Sequence, residues 1–185
     1  MTRRLLTIVM LAGMPAALAA QSQQRLSIQG SGAMVFPTAS ESDFENDTRL
    51  GWEGQLRYTF SRFSVGAGYQ QATVYKFATG DFSGAISTLF VEPRYVVSAA
   101  QRTAFYVAGR LGVGRLECDP AEDCAEQGWE PAYGGGGGVL FLLGSRVSLD
   151  LGGQFFATSY TTGLASGEKA SSGYFMARLG LSVGL

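Results

Sequence analysis

The sequence predicts an all-β protein, an eight-stranded antiparallel up-and-down transmembrane β-barrel, and three observations lead to this fold class. Apolar residues alternate with small or polar residues in eight segments of 12 to 15 residues. The connections between these segments are alternately long and short. Nearly all charged residues within the segments fall on the face opposite the apolar one. A strand with lipid on one side and a lumen on the other has this two-sided pattern.

The eight predicted strands carry this alternation at the spacing of a β-strand rather than of a helix. Their ranges are 25–36, 49–60, 63–75, 84–97, 103–116, 129–143, 146–160 and 171–185. The last of them is the clearest, because Phe175, Leu179 and Leu181 fall on one face, whereas Met176 and Arg178 fall on the other. Such a strand has one apolar face that would contact lipid instead of a protein core.

The connections predict how the strands follow one another. The long ones are 37–48, 76–83, 117–128 and 161–170, and the short ones are 61–62, 98–102 and 144–145. Outer-membrane barrels have short periplasmic turns and long extracellular loops, which is the same asymmetry. Gly144-Ser145 predicts a two-residue hairpin.

Two further features of the strands fit a membrane setting. Aromatic residues are concentrated near both strand ends, as in interfacial belts, at Trp52, Tyr75, Trp129 and Tyr133 and at Tyr58, Phe60, Phe63, Tyr95 and Phe141. Arg115 is the exception to the charge pattern. It lies near the outer end of its strand, where a long side chain can reach the lipid headgroups.

The first twenty residues have the composition of a secretory signal peptide. Arg3 and Arg4 precede an apolar run at 5–14, and small residues at 17–20 form a cleavage site. The remainder, 21–185, is then one barrel domain. No later segment has 18 consecutive apolar residues, so the sequence predicts no transmembrane helix.

The composition excludes several function classes. The 26 glycines, eight tyrosines and twelve phenylalanines suit membrane strands. A net charge of −1 without a basic stripe predicts no nucleic-acid partner. The chain has no histidine to act as a general base, and no Ser–Glu or paired-carboxylate spacing replaces it. We therefore expect neither an enzyme nor a cofactor.

Together these features resemble the eight-stranded outer-membrane barrels of the OmpA/OmpX type. The resemblance is one of architecture and covers the chain from the end of the signal peptide onward. It implies a place in the outer membrane of a Gram-negative-type bacterium, in contact with its lipid and lipopolysaccharide. It also implies that the barrel assembly machinery and periplasmic chaperones act during biogenesis. The family usually ends its last strand on an aromatic residue, where this chain has Leu185.

Seven charged residues fall on the predicted lumen face. They are Glu53, Arg57, Glu92, Arg94, Arg110, Asp150 and Arg178. Buried charges need partners, and the fork of an arginine can bind a carboxylate through two bonds. We therefore predict an ion-pair network that fills the interior, as side chains do in small barrels. A gated ion path or a catalytic carboxylate site are the alternatives.

Five consecutive glycines, 134–138, lie in the sixth strand. No Lys-Ser/Thr pair follows them, so they do not form a phosphate-binding loop. We expect them to allow a close approach of the backbone or to leave room for bulky lumen side chains. A path or lateral opening through the wall is the alternative.

The long connections contain two cysteines and many acidic residues. Cys118 and Cys124 predict a disulfide that closes a small loop, because an exported protein folds in an oxidising compartment. A metal-binding thiol pair is the alternative, but without histidine it would lack the usual co-ligands. The acidic residues are Glu41, Asp43, Glu45, Asp47, Glu117, Asp119, Glu122, Asp123 and Glu126. They either keep the loops solvated or bind divalent cations that bridge to lipopolysaccharide phosphates. No ligand spacing identifies a particular metal site.

The sequence thus favours a small barrel with a structural or surface-interaction role, such as membrane integrity, adhesion or the display of loops to an extracellular ligand. A narrow channel for small solutes or hydrophobic compounds is one alternative. A soluble periplasmic lipocalin-like binding barrel, with the apolar face inward, is another. Because one fold serves many functions, the choice depends on the interior and the loops.

Overall fold

A computed structural model describes residues 25–38, 49–76, 83–119, 128–161 and 169–185. These residues form eight strands, namely β1 Leu26–Pro37, β2 Arg49–Phe60, β3 Phe63–Lys76, β4 Ser83–Ala99, β5 Thr103–Asp119, β6 Glu130–Leu142, β7 Val147–Thr161 and β8 Lys169–Gly184. Within this part of the chain, no helix is long and apolar enough to cross a membrane. The signal peptide predicted for residues 1–20 lies outside it and stays a prediction.

The strands close into one barrel, which confirms the predicted fold class. Each strand pairs with its neighbour in sequence, and β8 returns to pair with β1. All eight pairings are antiparallel. Closure leaves no unpaired sheet edge, which a barrel requires in hydrocarbon because no water is present to satisfy the backbone.

The boundaries of β5 differ most from the prediction. This strand has 17 residues and continues to Asp119, where it pairs with Ser83 of β4. Glu117, predicted to lie in a loop, is therefore a strand residue. The polar composition of this segment led to the error, because strand residues beyond the membrane need no apolar face.

The short turns and the longer connections alternate as predicted. The short ones have two, three and four residues, at 61–62, 100–102 and 143–146. Ser61 has a φ of 55°, which supplies the positive φ that a two-residue hairpin needs. The prediction of a two-residue hairpin at 144–145 is wrong. The amides of Leu143 and Gly144 both donate to the carbonyl of Val147, at 2.9 and 3.2 Å, and enclose a four-residue turn.

The outer surface of the barrel is apolar. Residues of β1 alternate strictly between exposed and buried, and the exposed ones include Ile28 and Met34, both 52% exposed. Among the described strand side chains, the charged ones on this surface are Arg115 and Glu117. This is the opposite of the face assignment that the soluble lipocalin-like alternative requires.

Aromatic side chains lie at both ends of the outer surface, as predicted. At the turn end, the ring centroids of Tyr58 and Phe60 are 4.6 Å apart, and those of Phe60 and Phe63 are 6.4 Å apart. At the loop end, Trp52 and Trp129 are about half exposed. The side chain of Tyr75 lies outside the described part of the structure.

The interior contains an ionic layer, an apolar layer and a smaller apolar cluster of Val96, Ala104 and Tyr106 toward the short turns. The ionic layer consists of the seven charged residues predicted for the lumen, and it crosses the middle of the barrel. The apolar layer lies closer to the loops and was not predicted. It consists of Ala33, Val35, Ala72, Val74, Ile86, Ala132, Phe156, Tyr174 and Met176.

Candidate functional site

The ionic layer is assembled from five strands. Glu53 and Arg57 come from β2, Glu92 and Arg94 from β4, and one residue each from β5, β7 and β8, namely Arg110, Asp150 and Arg178. An even spacing along a strand places side chains on the same face, which here is the interior. All seven are at most 6% exposed. The structure therefore brings every residue of the predicted network into one cluster.

Glu92 is the centre of this cluster. Its Oε1 accepts hydrogen bonds from Arg57 Nη2 at 2.7 Å and from Arg94 Nε at 2.6 Å. Its Oε2 accepts hydrogen bonds from Arg110 Nε at 3.0 Å and from Arg178 Nη1 at 3.1 Å. One carboxylate thus contacts all four arginines.

The other two carboxylates each bind two arginines. Glu53 lies 2.9 Å from Arg110 and 3.0 Å from Arg178. Asp150 lies 2.8 Å from Arg94 and 3.7 Å from Arg178. Every arginine of the layer therefore contacts at least one carboxylate, and Arg178 contacts three.

Neutral side chains complete the network. Asp150 accepts hydrogen bonds from Tyr106 at 2.6 Å and from Gln29 at 2.8 Å. Arg57 donates to Gln55 at 2.7 Å and to Ser64 at 3.1 Å. The sequence interpretation missed these partners because it counted charges alone. Their inward position on the strands is the signal that could have identified them.

Arg110 has a distinct set of neutral contacts. It donates to Gln70, whose amide nitrogen donates to the hydroxyl of Tyr174 at 2.7 Å. Its guanidinium also lies 3.7 Å from the ring centre of Phe90, a cation–π distance. Through Gln70 and Tyr174, the ionic layer is continuous with the apolar layer.

The charges of the ionic layer do not balance. Four arginines face three carboxylates, which leaves one excess positive charge. Three of their nitrogen atoms are buried without a hydrogen-bond partner, namely Arg57 Nε, Arg94 Nη2 and Arg178 Nε. Buried donors of this kind have lost their contact with water without full compensation.

Strand β6 contributes glycine to the interior where other strands contribute charge. A Cβ atom added to Gly138 would lie 2.6 Å from the hydroxyl of Tyr106 and 2.3 Å from the carbonyl of Leu151. A Cβ at Gly136 would lie 2.1 Å from the carbonyl of Gly153. The neighbouring strand and Tyr106 occupy the space that side chains would need, which accounts for the glycine run through close approach.

Gly138, together with Gly152 and Gly153 of β7, leaves a groove on the outer wall. Phe105, Val139 and Leu151 border it, and its volume is about 640 Å³. Tyr106 and Arg178 form part of its lining although they point inward. The wall is therefore thin at this place.

The predicted loop residues are only partly described. Glu117 accepts hydrogen bonds from Arg115 Nη2 at 2.6 Å and from Gln71 at 3.4 Å. Cys118 and Asp119 end β5, and their side chains are not described. The remaining predicted residues lie outside the described ranges, namely Glu41, Asp43, Glu45, Asp47, Glu122, Asp123, Cys124 and Glu126. The disulfide and the cation-binding loops therefore stay predictions.

Comparison with known proteins shows which solved structures have a similar fold. No family model and no curated protein matches the sequence. Neisserial surface protein A has a similar structure, with a TM-score of 0.69 and 12% identity over 86% of this chain and 97% of that one. Outer membrane protein H of P. aeruginosa is also similar, with a TM-score of 0.54 and 16% identity over 83% of this chain and 98% of that one.

A third similar structure is Ail, the attachment invasion locus protein of Yersinia pestis, with a TM-score of 0.51 and 13% identity over 85% of this chain and 95% of that one. Identities this low concern the fold, and the matches extend over nearly the full length of each barrel. The apolar outer surface fits the same lipid environment. The chain therefore has the fold of the eight-stranded bacterial outer-membrane β-barrels.

Proposed function

We propose that this protein is a non-conducting barrel of the outer membrane that anchors acidic loops at the surface of a Gram-negative-type bacterium. Its role is structural or surface-interacting, with no catalytic step and no cofactor. The observation that carries the proposal is the interior, where an ionic layer and an apolar layer follow one another along the barrel axis. Each layer opposes the passage of ions for a different reason.

The ionic layer opposes passage because its members are linked. Moving Arg178 aside breaks its contacts with Glu53, Glu92 and Asp150 together. Removing one partner of a buried ion pair leaves an uncompensated charge at a cost of about 3–5 kcal/mol. A solute would have to open several such contacts at once.

The apolar layer opposes passage because apolar side chains fill most of the space that a hydrated ion would need. Val35, Ile86 and Phe156 are each 0% exposed and face one another across the interior. An ion that enters this layer loses its water, and desolvation of an unpaired charge is very costly. Two dissimilar barriers in series support a plug.

The loops are then the part of the protein that interacts with partners at the cell surface. Two structurally similar proteins are called a surface protein and an attachment invasion locus protein, which supports a surface role. The acidic loops favour divalent cations that bridge to lipopolysaccharide phosphates, or an extracellular ligand with positive charge. Outer-membrane lipid is the partner of the wall, and the barrel assembly machinery and periplasmic chaperones are the partners during biogenesis.

Single-channel conductance in a planar bilayer tests the plug. The refolded barrel, with folding verified by heat-dependent gel mobility, is expected to be silent. A variant that carries Ile86→Gly, Phe156→Ala and Arg178→Ala reduces both layers and shows whether an opened interior is detectable under the same conditions. Discrete steps in the wild-type barrel that shift when Arg94, Arg110 or Arg178 is replaced would establish a pore and overturn the proposal.

Calcium titration of lipopolysaccharide binding tests the loops. The matched variant carries Glu41→Gln, Asp43→Asn, Glu45→Gln and Asp47→Asn, which removes charge with little change of shape. We expect calcium to increase binding of the wild-type barrel and to have a much smaller effect on the variant. Equal calcium dependence of the two proteins would exclude this loop as the cation site.

The groove over the thin wall favours a second candidate, the binding of a hydrophobic compound between β5 and β8. Ala177 lies in this groove, so Ala177→Leu would fill it. If the groove is a specific site, the variant loses saturable binding of a fluorescent apolar probe in lipid nanodiscs. Unsaturable partition that is equal in both proteins would indicate only ordinary contact with lipid.

A further inference from the structure

We infer that the turn end of the barrel contains a binding site for a monatomic anion of the halide class. A cavity of about 30 Å³ lies between the short turns and the ionic layer. Arg57 and Arg94 line part of it, together with serines from four strands, among them Ser64, Ser148 and Ser182, and with two apolar side chains, Val96 and Leu140. The site is separate from the loops, so its test does not depend on the proposed surface role.

Unsatisfied positive charge is the first argument. Arg57 and Arg94 both contact Oε1 of Glu92, so their guanidinium groups are close neighbours. Each has a buried nitrogen without a hydrogen-bond partner, Nε in Arg57 and Nη2 in Arg94. Because the ionic layer carries one more arginine than carboxylates, an anion in the cavity that these two side chains line would balance its charge.

The lining of the cavity is the second argument. No carboxylate belongs to it among the described residues, whereas hydroxyl groups are numerous. The hydroxyl of Ser64 accepts a hydrogen bond from Arg57 at 3.1 Å, which leaves its own hydrogen available to donate. Hydroxyl and guanidinium donors that converge without an acidic group form a site suited to an anion and unsuited to a cation.

The size of the cavity selects the class of anion. A cavity of about 30 Å³ holds one or two particles of the size of water. A chloride or bromide ion has this size, whereas phosphate with its four oxygens is too large. The size therefore favours a monatomic anion over phosphate or a lipid headgroup.

The charges around the mouth are the third argument. The turn end carries Arg25, Arg62, Arg102 and Arg146, and the three short turns contain no acidic residue. The acidic residues outside the ionic layer lie at the loop end or in the long connections. A mouth ringed by one sign of charge raises the local concentration of counter-ions, here anions.

Chloride-35 NMR line width tests the site on the refolded full barrel in zwitterionic micelles. The wild-type barrel is expected to broaden the chloride signal, and bromide should compete for the effect. Arg94→Gln is expected to abolish the specific broadening. The double variant Ser148→Ala/Ser182→Ala should weaken chloride binding by about tenfold for each charge-assisted hydrogen bond that is lost.

Two controls make the result decisive. Ser87→Ala removes a buried hydroxyl that bonds to Tyr69, and neither residue lines the cavity, so chloride binding should persist. The serine variants also address the case in which Arg94→Gln fails to fold. The inference is overturned if the folded wild-type barrel gives no specific broadening. It is also overturned if the broadening survives the cavity variants but disappears in Arg102→Ser, which would assign it to the exposed arginines.

Discussion

The two layers inside the barrel close the same space by different means. In the ionic layer, Glu92 makes contacts of defined direction with four arginines. In the apolar layer, Ile86 and Phe156 exclude solvent only by occupying volume. Hydrogen-bonded charges require particular partners, whereas apolar packing tolerates exchange of residues of similar size. The ionic layer therefore specifies the arrangement of the strands, and the apolar layer makes the closure tight.

The largest expected effect is that of Glu92→Gln. The substitution removes the one carboxylate that all four arginines share, and we expect a loss of about 5 kcal/mol in the free energy of unfolding. Urea titration in micelles, followed by gel mobility, measures it. If Glu92→Gln costs no more than a substitution at the outer surface, the ionic layer does not organise the interior.

Ile86→Ala probes the apolar layer. Ile86 is 0% exposed, so the smaller side chain leaves a cavity, and we expect a loss of about 3 kcal/mol. Ile86→Leu preserves the volume and should cost less than about 1.5 kcal/mol in the same titration. Equal losses for the two variants would show that shape, and not volume, decides this layer.

Gly138→Ala tests β6, the strand that contributes glycine instead of charge to the ionic layer. The new Cβ would lie 2.6 Å from the hydroxyl of Tyr106, and we expect the strain to cost about 2 kcal/mol. Gly135→Ala on the same strand is the control, because its Cβ would lie 3.4 Å from its nearest neighbour, the carbonyl of Ala108. Its effect should stay within about 1 kcal/mol. A mild effect at Gly138 would mean that both Tyr106 and the backbone of β7 at Leu151, whose carbonyl would lie 2.3 Å from the new Cβ, can shift.

The smallest expected effect is that of Glu117→Gln. Its pair with Arg115 lies on the outer surface, where the two side chains are 33% and 44% exposed. Exposed pairs contribute about 0–1 kcal/mol, and salt weakens them further. The free energy of unfolding measured at low and high salt should therefore differ little from wild type. A loss comparable to that of Glu92→Gln would remove the distinction between surface and interior charge.

The sequence predicted much of this fold because a lipid environment imposes simple rules. Strict alternation identified all eight strands, and the cost of exposing charge to lipid identified their inward face. The same cost directed attention to the seven residues of the ionic layer before any contact was known. Their actual partners followed from the register of non-adjacent strands, which alternation alone does not determine.

The apolar layer escaped prediction for a related reason. Ile86 and Phe156 are apolar residues in strands whose lipid-facing residues are also apolar, so polarity does not distinguish the two faces there. Glu117 was misplaced because a strand that extends past the lipid loses its apolar face. The turn at 143–146 was misjudged because its backbone hydrogen bonds, and not the Gly-Ser pair, determine where the strands end.

The central position of Glu92 has a consequence for the order of folding. Arg57, Arg94 and Arg110 lie on β2, β4 and β5, so their contacts with Glu92 need only consecutive strands to pair. The bond between Glu53 and Arg178 instead joins β2 to β8 and spans 125 residues of sequence. The contacts of Arg178 with Glu53 and Glu92 form only when the last strand meets the first, and until then the network is incomplete in an environment where unpaired charge is costly. Ring closure thus completes the ionic layer, which makes partly closed intermediates less stable and assembly more cooperative.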